Sequence, residues 1–285
     1  MIKAIALDLD RTTLNAEGGL SDGNREAIEY AVSKGMHVIV ASGRALYSLP
    51  DQITGIQGVE YAVTSNGASV YRLSDGVRLR HYKMTRQSVL KILEVTGTES
   101  QSREAAYEVF VDGEAYAQAG YVADPVHFGA SPKAVSYIRG SRKPVEDIHK
   151  FILEHIEELD SMDVVCREGP VKDLIWERIQ REVPDIYMTS SVRQLIEISY
   201  KDSGKHMGIK FLADYLGILP KELAAFGDGD NDAEMLREAG IGIAVANASP
   251  KCLQAADYIV PGNDEDGVAY GIYTILCAAR PTARI

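Results

Sequence analysis

Ile5-Ala6-Leu7-Asp8-Leu9-Asp10-Arg11-Thr12 decides the reading of this chain. A short apolar run leads straight into two carboxylates two positions apart, Asp8 and Asp10, and a hydroxyl follows at Thr12. Side chains two apart in an extended segment point the same way. The two acids therefore converge where a short buried strand ends. Such a compact acidic site suits a divalent cation and a phosphoryl acceptor. A second acidic cluster, Gly227-Asp228-Gly229-Asp230-Asn231-Asp232, follows another apolar run, Leu223-Ala224-Ala225-Phe226. If both runs are strands of one parallel sheet, both clusters lie at its carboxyl end, where ligands of open α/β sheets bind.

Outward from these runs the pattern alternates. Ser21 or Asp22 caps a helix whose apolar face includes Ala27, Ile28, Ala31 and Val32, and Gly35 ends it. Met36 to Ala41 reads as a buried strand ending at Ser42-Gly43-Arg44, and Tyr61 to Thr64 as a shorter one ending at Ser65-Asn66-Gly67. Ser74-Asp75-Gly76 has the composition of a hairpin turn. Alternating strands and helices predict a doubly wound parallel sheet. The pattern resumes from Lys205, with buried strands at Gly240–Val245 and Tyr258–Val260.

The middle differs. Thr85 caps a helix bearing Val89, Leu90 and Leu93; a strand over Glu108–Val111 meets an Asp112-Gly113 turn; another strand is expected near Val135–Ile138. A long helix after Pro144 aligns Ile148, Ile152 and Ile156, and further strands lie near Val164, Ile186 and Ile198. This irregular mixture predicts a separate α+β domain over 84–190, inserted into a core formed by 1–83 and 191–285. A pair joined by two crossings can hinge.

Composition narrows the function. The chain has 285 residues, is 46% hydrophobic and 25% charged, and carries a net charge of −11. That balance fits a globular protein and argues against nucleic acid as the partner. No stretch approaches transmembrane length, and Asp8 interrupts the N-terminal apolar run too early for a signal peptide. Cys166, Cys252 and Cys277 are scattered without metal spacing, which reads as reduced, packed thiols in a cytoplasmic protein.

Ser42 brings a hydroxyl and backbone N–H groups suited to a phosphate oxygen, or else caps a helix. Arg44 either binds substrate or pairs with an acid. Lys205 opens an amphipathic helix, an unfavourable place for a cation unless it has a task. The Asp228–Asp232 spacing begins like a calcium loop, but Ala233 and Ala239 stand where that loop needs glycine and glutamate. A strand-end metal site remains, with Asp228 its best ligand.

Together these four segments resemble the haloacid dehalogenase (HAD) superfamily of phosphohydrolases. The large insertion between Ser42 and Lys205, and the ending Ala246-Asn247-Ala248 … Ala256-Asp257 … Asp266-Gly267-Val268, resemble its Cof-type branch. The resemblance spans nearly the whole chain. It implies an α/β fold with a doubly wound, Rossmann-like core and an inserted cap that sets substrate specificity. It implies that Asp8 is the nucleophile that becomes an aspartyl-phosphate and that Asp10 is the general acid and then base. Mg²⁺ would be held by the Asp8 carboxylate, the Asp10 carbonyl and Asp228. Ser42 and Lys205 would hold phosphate oxygens, with Thr12, Gly43, Arg44 and Asn231 also at the phosphate and Asp232 behind them. The implied substrate is a small phosphorylated metabolite such as a sugar phosphate, with no nucleic acid or membrane partner, and the protein is a monomer or homodimer. Tyr116, His127 and Arg139 are cap residues that either meet substrate or serve packing. Two positions depart from the pattern: Arg11 and His206 stand where glycine is usual. A phosphosugar mutase, a receiver-like phospho-acceptor and a phosphate-binding protein without turnover remain alternatives.

Overall fold

The computed structural model describes residues 1–277. Along the chain come β1 (Ala4–Leu7), β2 (His37–Ala41), β3 (Val59–Thr64), β4 (Ser69–Arg72) and β5 (Val77–His81). Then follow β6 (Ala105–Val111), β7 (Glu114–Gln118), β8 (Arg142–Val145), β9 (Leu159–Cys166), β10 (Ile186–Thr189) and β11 (Leu195–Tyr200). The last three are β12 (Leu223–Gly227), β13 (Ile241–Val245) and β14 (Tyr258–Val260). They make two sheets, ordered β14-β13-β12-β1-β2-β3-β4-β5 and β10-β11-β9-β6-β7-β8.

The two apolar runs that precede the acidic clusters are neighbours. β1 pairs in parallel with β12, Leu7 beside Phe226, and in parallel with β2, Leu7 beside Val40. Every residue of β1 is buried, as expected of a central strand covered on both faces. Ala4, Ala6, Ile39, Val63, Ala225 and Ala244 pack with Ile209 and Leu212 of the helix Lys205–Leu216. Gly208 of that helix approaches so closely that a Cβ would fall 2.5 Å from Val63 Cγ1, so glycine lets helix and strand meet. The helix Asp22–Ser33 packs on β2 and is capped by Ser21, whose hydroxyl accepts the Asn24 N–H at 3.1 Å.

The second sheet is antiparallel apart from β7–β8. Asp112 (φ 51°) and Gly113 (φ 80°) turn β6 into β7, the left-handed pair that hairpin twist favours. One face buries Tyr107, Val109, Met162, Val164 and Ile196 beneath Val89, Ile92, Ile175 and Ile179 of two helices. The other face carries charge. Glu108, Asp163 and Glu197 stand side by side on β6, β9 and β11, all buried. Arg142 meets Glu108 at 2.6 Å, and its guanidinium lies 4.9 Å from the Tyr137 ring centroid. Burial, with repulsion from Glu108 and Glu197, raises the Asp163 carboxyl well above the usual carboxylate range, Arg142 opposing.

Contacts divide the chain into one unit of 1–42, 49–80 and 205–285 and another of 43–48 and 81–204. The boundary read at 190/191 therefore moves to 204/205. Leu195–Tyr200 pairs with β9 and β10 and completes the second sheet. The strand expected near Val135–Ile138 is a helix, Val135–Ser141. Pro132 starts a tight turn there that runs directly into it, and Ile138 alone among its residues is buried. The long helix expected after Pro144 is short, Ile148–Glu154, because Arg142–Val145 forms β8. Among the described residues no helix is long and apolar enough to cross a membrane.

Candidate active site

Past Leu7 the chain turns at once. Asp8 N–H still donates to Phe226 O (3.1 Å), holding its backbone in line with β12. The turn is closed by Leu14 N–H on Leu9 O (2.8 Å) and by Thr13 Oγ1 on Asp8 O (2.5 Å). Inside it Arg11 has φ 63° and ψ 8°, the left-handed region that residues with a Cβ rarely occupy. Asn247 Nδ2 donates to the Arg11 carbonyl at 2.9 Å and holds it there. Asp8 is buried, and Asp10 is exposed on the turn.

β12 delivers the second acidic cluster. A Cβ on Gly227 would fall 2.5 Å from Asp232 Cβ, so only glycine lets Asp232 fold back beneath the strand end. Asp232 Oδ2 accepts the N–H groups of Asp228 (3.1 Å) and Gly229 (2.9 Å). Its Oδ1 accepts from Lys205 Nζ at 2.7 Å, and Lys205 also donates to Asp8 Oδ1 at 2.5 Å. Lys205 is 2% exposed at the first residue of its helix. A buried cation at that end of a helix is tolerable here because two carboxylates receive it.

Of the residues expected at the site, Asp8, Asp228, Asp232 and Lys205 are brought together by these bonds. Ser42 is buried at the end of β2, with its carbonyl accepting the Asn66 N–H (3.2 Å). Asn231 Nδ2 donates to Asn66 Oδ1 (3.0 Å), which ties Ser42 and Asn231 to one another through Asn66. Thr12 is fully buried, and its hydroxyl donates to Asp228 Oδ1 at 3.1 Å. A buried hydroxyl needs a partner, and the turn that carries Arg11 brings Thr12 to that carboxylate. Gly43 and Arg44 group with the second unit. There the Arg44 guanidinium donates to Ser48 O (3.0 Å) and stacks 4.4 Å from the Tyr137 ring centroid. Tyr116 packs on Phe151, His127 N–H donates to Asp124 Oδ1, and Arg139 donates to the Val122 and Ala123 carbonyls. His206 lies 3.6 Å from Glu234.

Asn66 was not among the expected site residues. Its signal was there: a polar residue at the carboxyl end of the third parallel strand, before a glycine. Asn66 itself takes a positive φ of 51°. Ser249 was also missed; its N–H donates to Asp228 O (2.8 Å) and its hydroxyl to Asp230 (2.6 Å).

Asp8, Asp228 and Asp232 present oxygens within 4.8 Å of one another. Burial, then Asp232 and Asp228, lifts the Asp8 carboxyl well above its ordinary range, with Lys205 opposing. Burial, then Asp232, pushes Asp228 up to about 6, opposed by Arg11, the Thr12 hydroxyl and Lys205. Burial works against the Lys205 ammonium, yet Asp232 and Asp8 outweigh it and hold its pKa above the usual value. The corner is short of positive charge and its donors are hard oxygens, which fits a divalent cation of the magnesium type. Asp8 and Asp228 are able to hold one, and Asp232 completes the same acidic group while bonded to Lys205 and to two backbone N–H groups. Cys166 and Cys252 are buried, and burial raises both thiols, Cys166 to about 11; neither is a nucleophile at neutral pH.

This chain is similar to known proteins over nearly its whole length. The family signature described as haloacid dehalogenase-like hydrolase matches residues 5–272. Phosphatase YwpJ of Bacillus subtilis is 28% identical, the alignment covering 94% of this chain and 98% of the relative. The 5-amino-6-(5-phospho-D-ribitylamino)uracil phosphatase YwtE of the same organism is 28% identical over 96% of this chain and 98% of its own. The solved structure of a haloacid dehalogenase-like hydrolase from B. subtilis matches with a TM-score of 0.82 at 26% identity, covering 96% of this chain and 100% of that one. A family match from β1 to beyond β14, with phosphatases aligned end to end, places this chain in the haloacid dehalogenase-like hydrolases as a Cof-type phosphatase.

Proposed function

We propose that this phosphatase hydrolyses monoesters of small phosphorylated metabolites, sugar phosphates foremost, through an aspartyl-phosphate on Asp8 and with Mg²⁺ as its cation. The observation that carries the reading is the bonded chain Asp8–Lys205–Asp232 at the carboxyl ends of β1 and β12. An Asp8 oxygen attacks phosphorus and the bond to the leaving alcohol breaks. Asp10, exposed on the same turn, donates the proton that the alkoxide needs. Asp10 then takes a proton from water as that water attacks the acyl phosphate, which frees inorganic phosphate and restores Asp8. Lys205 offsets the negative charge that gathers as one anion approaches another. Ser42 holds a phosphate oxygen, Asn231 and Asn66 fix the loop around it, and Asp232 positions Lys205. When bound between Asp8, the Asp10 carbonyl and Asp228, Mg²⁺ would neutralise charge on nucleophile and phosphate alike.

Residues 43–48 and 81–204 are assigned the role of a cap that selects the substrate. Support for a sugar-like ester comes from a relative whose named substrate bears its phosphate on a ribityl chain. The test is phosphate release from a panel of sugar and polyol phosphates plus an aryl phosphate, with Mg²⁺ or chelator, and with Asp8→Asn as blank. Metal-dependent release that vanishes in Asp8→Asn is expected, with acid-stable, hydroxylamine-labile phosphate on the wild-type chain after quenching. Undiminished release by Asp8→Asn would refute the nucleophile, and rearranged sugar phosphate without free phosphate would establish a mutase.

A further inference from the structure

We propose that Arg11 competes with the divalent cation for Asp228 and so raises the ion concentration at which the site loads. This rests on the assignment of Asp8 and Asp228 as the metal-binding corner. Arg11 Nε lies 3.8 Å from Asp228 Oδ2, and Arg11 Nη2 lies 3.5 Å from the Asn247 carbonyl. The other Asp228 oxygen accepts the Thr12 hydroxyl. Both oxygens of the best-placed metal ligand are therefore approached from the protein side, one of them by a full positive charge. A divalent ion arriving at Asp228 meets that guanidinium as a like charge. Because the Arg11 side chain is 60% exposed, it can swing into water and yield its place, at the expense of the pairing.

The arrangement is built rather than incidental. Arg11 occupies a backbone conformation (φ 63°) that disfavours any residue with a Cβ, and such strain persists only where neighbours over-determine it. Here they do. Asn247 Nδ2 holds the Arg11 carbonyl, Asn247 Oδ1 accepts the Asn263 N–H (3.0 Å), and Asn263 Nδ2 donates to Leu14 O (3.0 Å). This clamp holds the turn at Arg11 and at its far end, Leu14, and fixes the side chain's point of departure beside Asp228. Glycine would fill the same turn without strain and without charge.

The experiment is calorimetric titration of the full chain with MgCl₂, without substrate, for wild type, Arg11→Gln, Arg11→Gly and Asp228→Asn. Both Arg11 variants are expected to bind Mg²⁺ about 1.5- to fivefold more tightly than wild type, the range for an exposed charge acting at close range. The gain should shrink as KCl screens it. Arg11→Gln separates charge from backbone relief, because it keeps the strained Cβ. Affinities equal to or weaker than wild type in both variants would overturn the proposal. Tightening in Arg11→Gly alone would also overturn it, assigning the effect to the backbone. Asp228→Asn tests the underlying assignment separately: wild-type Mg²⁺ affinity in that variant, or no binding by any chain, would remove the metal corner itself and the proposal with it.

Discussion

Replacing Lys205 with methionine tests how the buried charges are balanced. The substitution keeps most of the side-chain volume and removes one ammonium. In the wild type the side chain that carries it is 1% exposed, and the ammonium lies 2.5 Å from Asp8 and 2.7 Å from Asp232. Without it, three carboxylates whose oxygens lie within 4.8 Å of one another keep no buried cation. Removing one partner of a buried, hydrogen-bonded ion pair typically destabilises by about 3–5 kcal/mol. For a unit of this size that corresponds to a fall of roughly 6–20 °C in Tm.

The loss should depend on pH. Asp8 has a folded-state pKa raised above its unfolded value by burial and by Asp232. Its contribution is therefore fully present below the unfolded pKa and is lost as pH rises through the folded one. Removing Lys205, which opposes that rise, steepens the loss. The penalty is expected to be largest near pH 8 and to narrow toward pH 5. Lys205, with its own pKa raised, stays charged across that window and adds no slope. Urea and thermal unfolding followed by circular dichroism in chelator, from pH 5 to 8, measure the difference, with phosphate release assayed in parallel. A methionine variant as stable as wild type at pH 8 would refute the view that Lys205 compensates buried negative charge.

Two further outcomes can be checked in the same way. Gly227→Ala places a methyl 2.5 Å from Asp232 Cβ, which should unseat Asp232 from Lys205, destabilise by about 1–3 kcal/mol and lower kcat far more than KM; unchanged kcat in a folded variant would contradict it. Asp163→Asn removes a carboxyl whose raised pKa favours the fold only at low pH, so the variant should exceed wild type in stability at pH 8, with the gain fading toward pH 4; a gain independent of pH would show that Asp163 is not ionised at the cost of the fold.

Much of the core was legible because central parallel strands are buried on both faces and read as unbroken apolar runs. Ala4–Leu7 and Leu223–Gly227 are such runs, and the acids that follow them mark the strand ends. The bond from Lys205 to Asp8 crosses between distant parts of the chain, yet its existence was signalled by a cation set at the unfavourable end of a helix. Less legible were features settled by tertiary partners. Thr12 turned to Asp228 because its hydroxyl is sealed from water. Arg44 found Tyr137 and Ser48 within the second unit. Leu195–Tyr200 joined the second sheet because of its pairing with β9, which no local pattern encodes. Val135–Ile138 reads as a strand from its β-branched and aromatic residues, but the turn begun at Pro132 carries the chain into a helix instead. Glu108, Asp163 and Glu197 line up only once three strands are in register.

The sheet order has a consequence for how the chain is made. β1 borders β2 and β12, and Ala4 stands beside Leu223. On a ribosome one flank of β1 therefore waits, open and apolar, until the far strand has emerged. Residues 81–204 contain their own sheet and apolar core, so they can fold during that interval. A nascent chain stalled before Leu223 would expose an unpaired central edge, the kind of surface that chaperones cover and that other unfinished chains join. Asp8 would then acquire its lysine and its neighbouring carboxylates in a late step of folding, after most of the protein already exists.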